Sequence, residues 1–310
     1  AFEKLKNEGL QKLVLDLRGN PGGYLNAAND LADEFLSNKK MIVYTEGKAR
    51  PRQNHYATSR GDFEKNDLVI LVDEGSASAS EILAGAIQDN DRGTIIGRRT
   101  FGKGLVQEQV DLPDGSAIRL TIARYYTPTG RSIQKPYTHD HSEEYYEEYY
   151  DRIENGELYN KDSIHFSDTL KFTTPGGKIV YGGGGIMPDI FVPVDTTRLS
   201  KYLSAVFSKA LVNQFAFDYA DKNRASLIAF KSFETFNKQF FVSEKMFNDF
   251  TDYAEKNGVK KNEYGIKVSA DYIKLQIKAI IARNVWNDEG YYPVILQDDA
   301  VLKKALEELK

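Results

Sequence analysis

The sequence has no cysteine and only four histidines among its 310 residues. The absence of cysteine excludes a disulfide scaffold, a thiol nucleophile and every metal site with a cysteine ligand. Four scattered histidines provide little material for a zinc site, and we therefore predict no metal and no other cofactor. Hydroxyl, amine and carboxyl groups remain as the sources of any chemistry.

An excess of charge of one sign is missing too, because 41 Lys and Arg residues stand against 45 Asp and Glu residues, for a net charge of −4. This balance gives no reason to expect a nucleic-acid partner. No apolar run approaches the roughly 18 to 20 residues of a membrane span. The first residues, AFEKLKNEGL, lack the basic start and apolar stretch of a signal peptide. We predict a globular chain without a membrane-spanning segment, cut from a longer protein.

The first half of the chain alternates between the patterns of strands and helices. Short apolar runs predict four strands, at 13–17, 41–45, 68–72 and 94–97. Helical spacing follows the first and third of these runs, at 25–36 and 78–88. Residues 105–112 and 116–126 flank a Pro-Asp-Gly turn and predict a hairpin. The predicted fold class is α/β with an antiparallel element, and the length predicts about two domains.

The character of the sequence changes twice after this region. Residues 140–157 hold eight acids and one arginine, within an acidic, tyrosine-rich insertion at about 137–175. We interpret it as a partly exposed amphipathic insertion, with a lid that contacts substrate as the alternative. From about residue 196, aromatic and apolar residues recur at helical spacing, with Ser243 as a predicted N-cap. We therefore predict a core at 1–195 and a mainly α-helical region at 196–310, a candidate for docking or oligomerisation.

Two motifs have the spelling of functional signatures but the wrong context. Residues 97–104, GRRTFGKG, have the glycine and lysine spacing of a phosphate-binding loop. Such a loop needs Ser or Thr after its lysine and then a helix, whereas Gly104 and strand-forming residues follow here. Ser132 and Lys135 have a Ser-x-x-Lys spacing, but Gly130 and Pro136 around them predict an extended segment instead of the helix start that this motif requires.

A serine run and one lysine are better candidates. Ser76, Ser78 and Ser80 alternate with alanine at a predicted strand-to-helix turn, where free helix N–H groups can bind an anion. Ser78 and Glu81 also spell a capping box, so capping and nucleophilic catalysis both stay open on this segment alone. Because cysteine is absent, Lys103 is the available base for a serine, with a surface lysine in a Gly-rich turn as the alternative.

Longer stretches of the chain carry a resemblance to a known family. They are LVLDLRGNPGGYLNAANDLADEFL at 13–36, LVDEGSASASEILAGAIQDNDRGTIIGRRTFGKGLVQ at 71–107, IRLTIARYYTPTGRSIQ at 118–134 and GGIMPDIFV at 184–192. In this order they resemble the C-terminal processing peptidases, or tail-specific proteases, which are serine peptidases with a Ser-Lys dyad. The resemblance implies a crotonase/ClpP-like peptidase core with a mixed sheet.

Site residues follow from the resemblance position by position. The middle serine of the run, Ser78, corresponds to the family nucleophile, and Lys103 corresponds to its general base. The glutamine four residues later, Gln107, corresponds to a residue that orients the lysine, and on a strand positions 103 and 107 would share a face.

The resemblance also implies how the charge of the reaction is stabilised. The oxyanion hole of this family resembles two backbone N–H groups, which we assign to Gly22 or Gly23 and to Ala79.

The implied activity is hydrolysis of peptide bonds in unfolded or C-terminally tagged proteins, by a serine endopeptidase of the C-terminal processing type. Polypeptides, bound through their C-termini, are the expected partners, and a homo-oligomer is a further expectation. The family suggests a location in the bacterial cell envelope, periplasmic or exported. Members usually carry a PDZ domain before the motifs, so we expect that domain to be missing here and the fragment to have low activity.

Two other functions compete with this hypothesis. A peptide-binding module with an idle core would hold a chain terminus without an activated hydroxyl, so a serine-reactive probe separates the two. An acyl-CoA enzyme of the crotonase-like fold also uses a backbone oxyanion hole. That enzyme does not need the set of Ser78, Lys103 and Gln107.

Overall fold

The computed structural model describes residues 2–136 and 144–310, in two compact units. The first unit comprises the chain up to Val194 together with Val301–Lys310, and the second comprises Asp195–Ala300. The predicted domains, 1–195 and 196–310, stay a prediction, and the last ten residues group with the first unit in the structure. Among the described residues, no helix has both the length and the low polarity that crossing a bilayer requires.

Over the described residues, the first unit contains the ten strands and five of the α-helices. Its strands are β1 Lys12–Asp16, β2 Met41–Gly47, β3 Arg50–Tyr56, β4 Asp67–Val72, β5 Thr94–Gly97, β6 Leu105–Asp111, β7 Ala117–Tyr126, β8 Lys171–Thr173, β9 Ile179–Tyr181 and β10 Ile190–Phe191. Its helices are α1 Phe2–Asn7, α2 Leu25–Asp33, α3 Ala79–Asp89, α4 Glu144–Glu154 and α11 Ala300–Glu308. The α/β fold class is therefore confirmed.

A parallel sheet forms the centre of this unit, with strand order β1-β4-β5-β10 and every neighbouring pair parallel. Strand β4 is apolar on both faces because both faces are covered. Ile70 and Val72 pack in the core that contains the α2 and α3 side chains. Val69 and Leu71 point to the other face, where they pack with Val301 of α11.

An antiparallel sheet with strand order β3-β2-β7-β6 lies beside the parallel one. Parallel and antiparallel pairing thus occur in two separate sheets. Strand β3 was not predicted, because its sequence RPRQNHY is polar and six of its seven residues are exposed. It lies at an edge, where Pro51 needs no ladder partner for its nitrogen.

The predicted insertion is described only from residue 144 onward, and residues 137–143 lie outside the described part of the chain. Helix α4 is partly exposed: Tyr150 is 64% exposed and Arg152 is 3% exposed. Two short 3-10 helices, Lys161–Ser163 and Asp168–Leu170, lead into the small β8-β9 sheet.

The second unit is helical, as predicted. Its elements are α5 Lys201–Ser208, α6 Leu211–Lys222, α7 Arg224–Ile228, α8 Phe233–Gln239, α9 Glu244–Lys256, α10 Glu263–Ile295 and a 3-10 turn at Leu296–Asp298. The Ser243 hydroxyl accepts from the Met246 N–H, so the predicted N-cap of α9 is confirmed. Helix α10 consists of two helical segments that meet at a backbone break at Trp286 and Asn287.

A buried ion pair fixes the C-terminal end of α3, the helix that follows the serine run. Arg131 and Asp89 are both fully buried, with 2.7 Å between Nη2 and Oδ1. The Arg131 guanidinium also donates to Gln88 Oε1 (2.7 Å) and to the Tyr181 carbonyl (2.8 Å). Asp89 accepts from Thr129 Oγ1 at 2.6 Å. The pair is therefore a fully hydrogen-bonded charge network, the arrangement in which a buried ion pair is tolerated.

Replacing Asp89 by Ala should lower the free energy of unfolding by about 3–5 kcal/mol, because it leaves the buried Arg131 charge without its partner. The matched control is Arg50→Ala, which removes the half-exposed Arg50–Glu108 pair and should cost no more than about 1 kcal/mol. Urea unfolding of the two variants checks this, and equal losses would contradict it.

Candidate active site

Three loops meet where the parallel strands end. They follow β1, β4 and β5, which are neighbours in the sheet, and they comprise residues 17–24, 73–78 and 98–104. In α/β proteins with a parallel sheet, ligand sites form outside the carboxyl ends of the strands. The structure therefore brings together the Gly-Gly loop, the serine run and the lysine that the sequence singled out.

Asp73 and Asn20 join the first two loops. Asp73 Oδ1 accepts from the N–H groups of Gly19 (2.8 Å) and Gly75 (3.0 Å). The Asn20 carbonyl accepts from the Ala77 N–H at 3.0 Å. The Gly-Gly loop is thereby held against the start of α3.

The three serines of the run differ sharply in their surroundings. Ser76 is fully buried, and its hydroxyl donates to the Leu17 carbonyl at 2.7 Å. Ser80 is 4% exposed, and its hydroxyl donates to the Asn20 carbonyl at 3.0 Å. Ser78 is partly exposed and lines the cleft described below. Two serines therefore serve the packing of the loops, and Ser78 is the one that a ligand in the cleft can reach.

The backbone of Ser78 has an unusual conformation, with φ 55° and ψ −115°. A residue with a side chain pays on the order of 1–3 kcal/mol for such a conformation, and it persists only where its surroundings hold it. The Ser78 N–H donates to Glu81 Oε2 at 2.9 Å, which is the part of a capping box that the glutamate supplies. The Ser78 carbonyl accepts from the N–H groups of Glu81 and Ile82. Capping contacts therefore fix the backbone of the candidate nucleophile.

The Glu81 carboxylate connects the serine to the lysine loop. Its Oε2 accepts from the Lys103 N–H at 2.9 Å as well as from Ser78. Its Oε1 accepts from the Gly102 N–H (2.7 Å) and from the Thr100 hydroxyl (2.5 Å). Glu81 is fully buried, and this burial raises the pKa of its carboxyl group, an effect that the four hydrogen bonds oppose.

Tyr125 makes a second connection between the backbones of Ser78 and Lys103. Its hydroxyl donates to the Ser78 carbonyl at 3.1 Å and contacts the Lys103 carbonyl. Glu81 accepts from the N–H groups of Ser78 and Lys103 and Tyr125 contacts their carbonyl groups, so the backbones of the two residues are connected through both kinds of main-chain group.

A cleft of about 520 Å³ opens in front of this arrangement. Its described lining is Pro21, Gly22, Gly23, Tyr24, Leu25, Ser78, Ile82, Lys103, Leu105, Val106, Gln107, Gln109, Arg119 and Tyr125. Ser78, Lys103 and Gln107 thus face one space. We expected residues 103 and 107 to share a face because side chains alternate along a strand. Strand alternation does not explain their shared position, however, because Lys103 precedes β6 and a register shift separates Val106 from Gln107.

The Gly-Gly loop lies directly against the start of α3. A Cβ on Gly22 would be 2.5 Å from the Ala77 oxygen and 2.6 Å from the Ala79 nitrogen, and its φ is +85°. The Gly22 N–H donates to Asn20 Oδ1 at 2.9 Å. Within the described part of the chain, the N–H groups of Gly23 and Ala79 have no such acceptor.

The two motifs whose sequence context did not fit also lack the structure that their signatures require. Strand β6, and not a helix, follows the 97–104 loop. The Lys135 ammonium donates to Glu148 Oε2 at 2.8 Å and lies over the Phe101 ring. Burial lowers the pKa of Lys135, and the Glu148 carboxylate raises it. The segment at 132–136 forms no helix, and Ser132 pairs with Tyr126 in an isolated β-bridge.

Metal ligands do not cluster in the described ranges, 2–136 and 144–310, where no group of three or more His, Asp or Glu side chains could hold an ion. Sequence reasoning missed Tyr125 and read Glu81 only as a cap. The available signal for Glu81 was the apolar run ILAGAI that follows it at 82–87, because such a run predicts a buried helix and a buried carboxylate needs several donors.

Fold and site together define a class of protein: an α/β core with a serine and a lysine in one cleft, at the N-terminus of a helix. Residues 1–143 match the model of peptidase family S41, and residues 202–287 match a family of unknown function (DUF8443). Residues 1–143, somewhat less than half of the chain, are thus similar to peptidase family S41.

Relatives of known name match a similar share of the chain. A carboxyl-terminal-processing protease of Synechocystis sp. is 44% identical over 135 residues, which cover 44% of this chain and 31% of that protein. A carboxy-terminal-processing protease of Bartonella bacilliformis is 48% identical over 132 residues, 42% of this chain and 30% of that protein. The chain thus spans less than a third of the length of these two relatives.

One of the solved structures similar to this chain exceeds 25% identity. A photosystem II D1 C-terminal processing protease is 31% identical, with a TM-score of 0.44, over 64% of this chain and 38% of that one.

Substitutions at three glycines test the packing of the Gly-Gly loop. Gly22→Ala should lower the free energy of unfolding most, by roughly 2 kcal/mol or more, because it combines a positive φ with backbone clashes. Gly19→Ala, with φ +64° and open space around it, should cost about 1 kcal/mol. Gly23→Ala has neither problem. Urea unfolding measures the order, and a Gly22→Ala variant as stable as Gly23→Ala would refute this packing.

Proposed function

We propose that this chain carries the catalytic core of a serine endopeptidase of the C-terminal processing type, with Ser78 as nucleophile and Lys103 as general base. The observation that supports it most is the double connection of Ser78 to Lys103, through Glu81 and Tyr125, in front of one cleft. The S41 match of residues 1–143 supports the same reaction class.

The proposed reaction is acyl transfer to a serine. Lys103 Nζ takes the proton of the Ser78 hydroxyl as Oγ attacks the carbonyl carbon of the scissile peptide. The tetrahedral intermediate collapses, the C–N bond breaks, and Lys103 returns the proton to the leaving amine. Water, deprotonated by Lys103, then attacks the acyl-enzyme and releases the acid. Gln107, which lines the same cleft, is proposed to orient the Lys103 amine.

The oxyanion is proposed to bind the N–H groups of Ala79 and Gly23. Ala79 is the first residue of α3, where the helix leaves N–H groups unpaired and adds positive potential. Gly22 was the alternative to Gly23, but its N–H already donates to Asn20. Gly22 is proposed instead to allow the loop to approach α3, since any Cβ there meets backbone atoms.

Polypeptides bound near their C-termini are the proposed substrates. The described lining of the cleft holds the cation Arg119 and no Asp or Glu. Such a lining favours an anionic group, and a terminal carboxylate is the anion that every polypeptide carries.

The wider organisation is also a proposal. The S41 core corresponds to the predicted domain 1–195, and the helical domain 196–310 is proposed to serve in docking or oligomerisation. A location in the bacterial cell envelope fits the bacterial relatives that process C-termini, such as the protease of Bartonella bacilliformis.

Removing the Ser78 hydroxyl should abolish cleavage of an unfolded protein such as reduced, alkylated lactalbumin, by about 1,000-fold or more in kcat. Lys103→Ala should have nearly the same effect, because an unactivated serine is a poor nucleophile. The matched controls are Ser76→Ala and Ser80→Ala, whose hydroxyls bond to backbone carbonyls. These two should keep activity in proportion to their stability.

A fluorophosphonate probe completes this test, because a binding module with an idle core would not label. Mass spectrometry should find the adduct on Ser78. Labelling of another serine, or cleavage by Ser78→Ala at the wild-type rate, would rule out the proposed nucleophile.

Tyr125→Phe tests the connection between the two residues without removing either. The variant should lose about tenfold in kcat, because two carbonyl groups lose a shared donor worth roughly 1.4 kcal/mol. Tyr126→Phe is the control, since Tyr126 stacks on Tyr44 and lies outside the cleft lining. Steady-state cleavage rates measure both, and equal rates for the two variants would exclude a positioning role for Tyr125.

A further inference from the structure

The acidic insertion contacts the loop that carries Lys103, and it does so through its one arginine. Arg152 lies on α4 and is 3% exposed. Its Nη2 donates to the Arg99 carbonyl at 2.7 Å, and its Nη1 donates to the Thr100 carbonyl at 3.1 Å. Its Nε donates to Glu157 Oε1 at 3.0 Å. One planar guanidinium thus holds two successive carbonyls of the loop, a geometry that lysine cannot reproduce.

The same loop is held by other groups of the insertion. Arg99 donates to Glu157 Oε2 (2.9 Å) and to Glu148 Oε1 (3.1 Å), and Glu148 belongs to α4. Arg99 also donates to the Gly184 carbonyl at 2.7 Å. The acids of the insertion therefore include two that neutralise buried arginines, and not only a solvated face.

A short chain of hydrogen bonds leads from Arg152 to the candidate dyad. The Thr100 carbonyl accepts from Arg152, and the Thr100 hydroxyl donates to Glu81. Glu81 in turn accepts from the N–H groups of Lys103 and Ser78. Losing Arg152 would leave two buried carbonyls without their donor, which the loop can correct only by moving.

We propose that Arg152 is a positioning residue for Lys103, so that the insertion acts as a brace that keeps the base-bearing loop in its active conformation. This rests on the proposed function for its effect on rate, but the effect on the loop does not. In this proposal the insertion is neither a surface segment without a role in the site nor a lid that contacts substrate. It acts on the dyad through main-chain carbonyls of the loop that carries Lys103.

The test compares Arg152→Met, Arg152→Lys and the control Glu154→Gln, an exposed position on the same helix, by cleavage kinetics and by hydrogen–deuterium exchange. Arg152→Met should lower kcat by about tenfold or more with KM within about twofold. The amides of Gly102 and Lys103 should exchange faster, while those of α3 keep their protection. Arg152→Lys, which keeps a cation for Glu157 but cannot hold both carbonyls, should show the same local change to a smaller degree.

Several outcomes would overturn the proposal. These are an unchanged kcat in Arg152→Met, unchanged exchange at Gly102 and Lys103, or loss of protection throughout the first unit in both Arg152 variants, which would mean that Arg152 only stabilises the fold. Failure of the proposed function is visible separately: wild type and Ser78→Ala would then cleave equally, while the exchange data would still report on the loop.

Discussion

The carboxylate of Glu81 is the group on which the rest of the site depends. It is fully buried, and its two oxygens accept from the N–H groups of Ser78, Gly102 and Lys103 and from the Thr100 hydroxyl. A buried carboxylate is costly unless several donors surround it, so it imposes one arrangement on both loops that supply them. The helix that begins after the serine therefore also fixes the loop that carries the lysine.

The fold supplies what this carboxylate requires. Neighbouring parallel strands β1, β4 and β5 end at one edge, so three loops converge there without long connections. The strained backbone of Ser78 is offset by contacts at its N–H and its carbonyl, and the Asp89–Arg131 pair anchors the far end of the same helix. The insertion adds hydrogen bonds from outside, through Arg152. Rigid positioning of two side chains is a recurrent source of catalytic power, and here it is built from backbone contacts.

Much of this could be predicted from the sequence. The apolar strands and the helices after them follow from periodicity, and the Ser78, Lys103 and Gln107 set follows from a resemblance. The features that the sequence did not predict depend on tertiary contacts. Strand β3 is polar because it is an exposed edge. In the sequence, Tyr125 does not differ from other residues of a hairpin strand. Only the structure shows that its hydroxyl contacts two carbonyl groups. Arg152 is hidden in a run of acids, whose composition indicates a solvated face and not a buried guanidinium.

The most direct measurement of the central claim is the rate at which a fluorophosphonate labels Ser78 in Glu81→Gln compared with wild type. Glutamine keeps the size of the side chain but puts an NH₂ group where the carboxylate accepts hydrogen bonds. If Glu81 holds the serine and the lysine together, the folded variant should label at least about tenfold more slowly, the equivalent of roughly 1.4 kcal/mol. Labelling of folded Glu81→Gln at the wild-type rate would contradict the account.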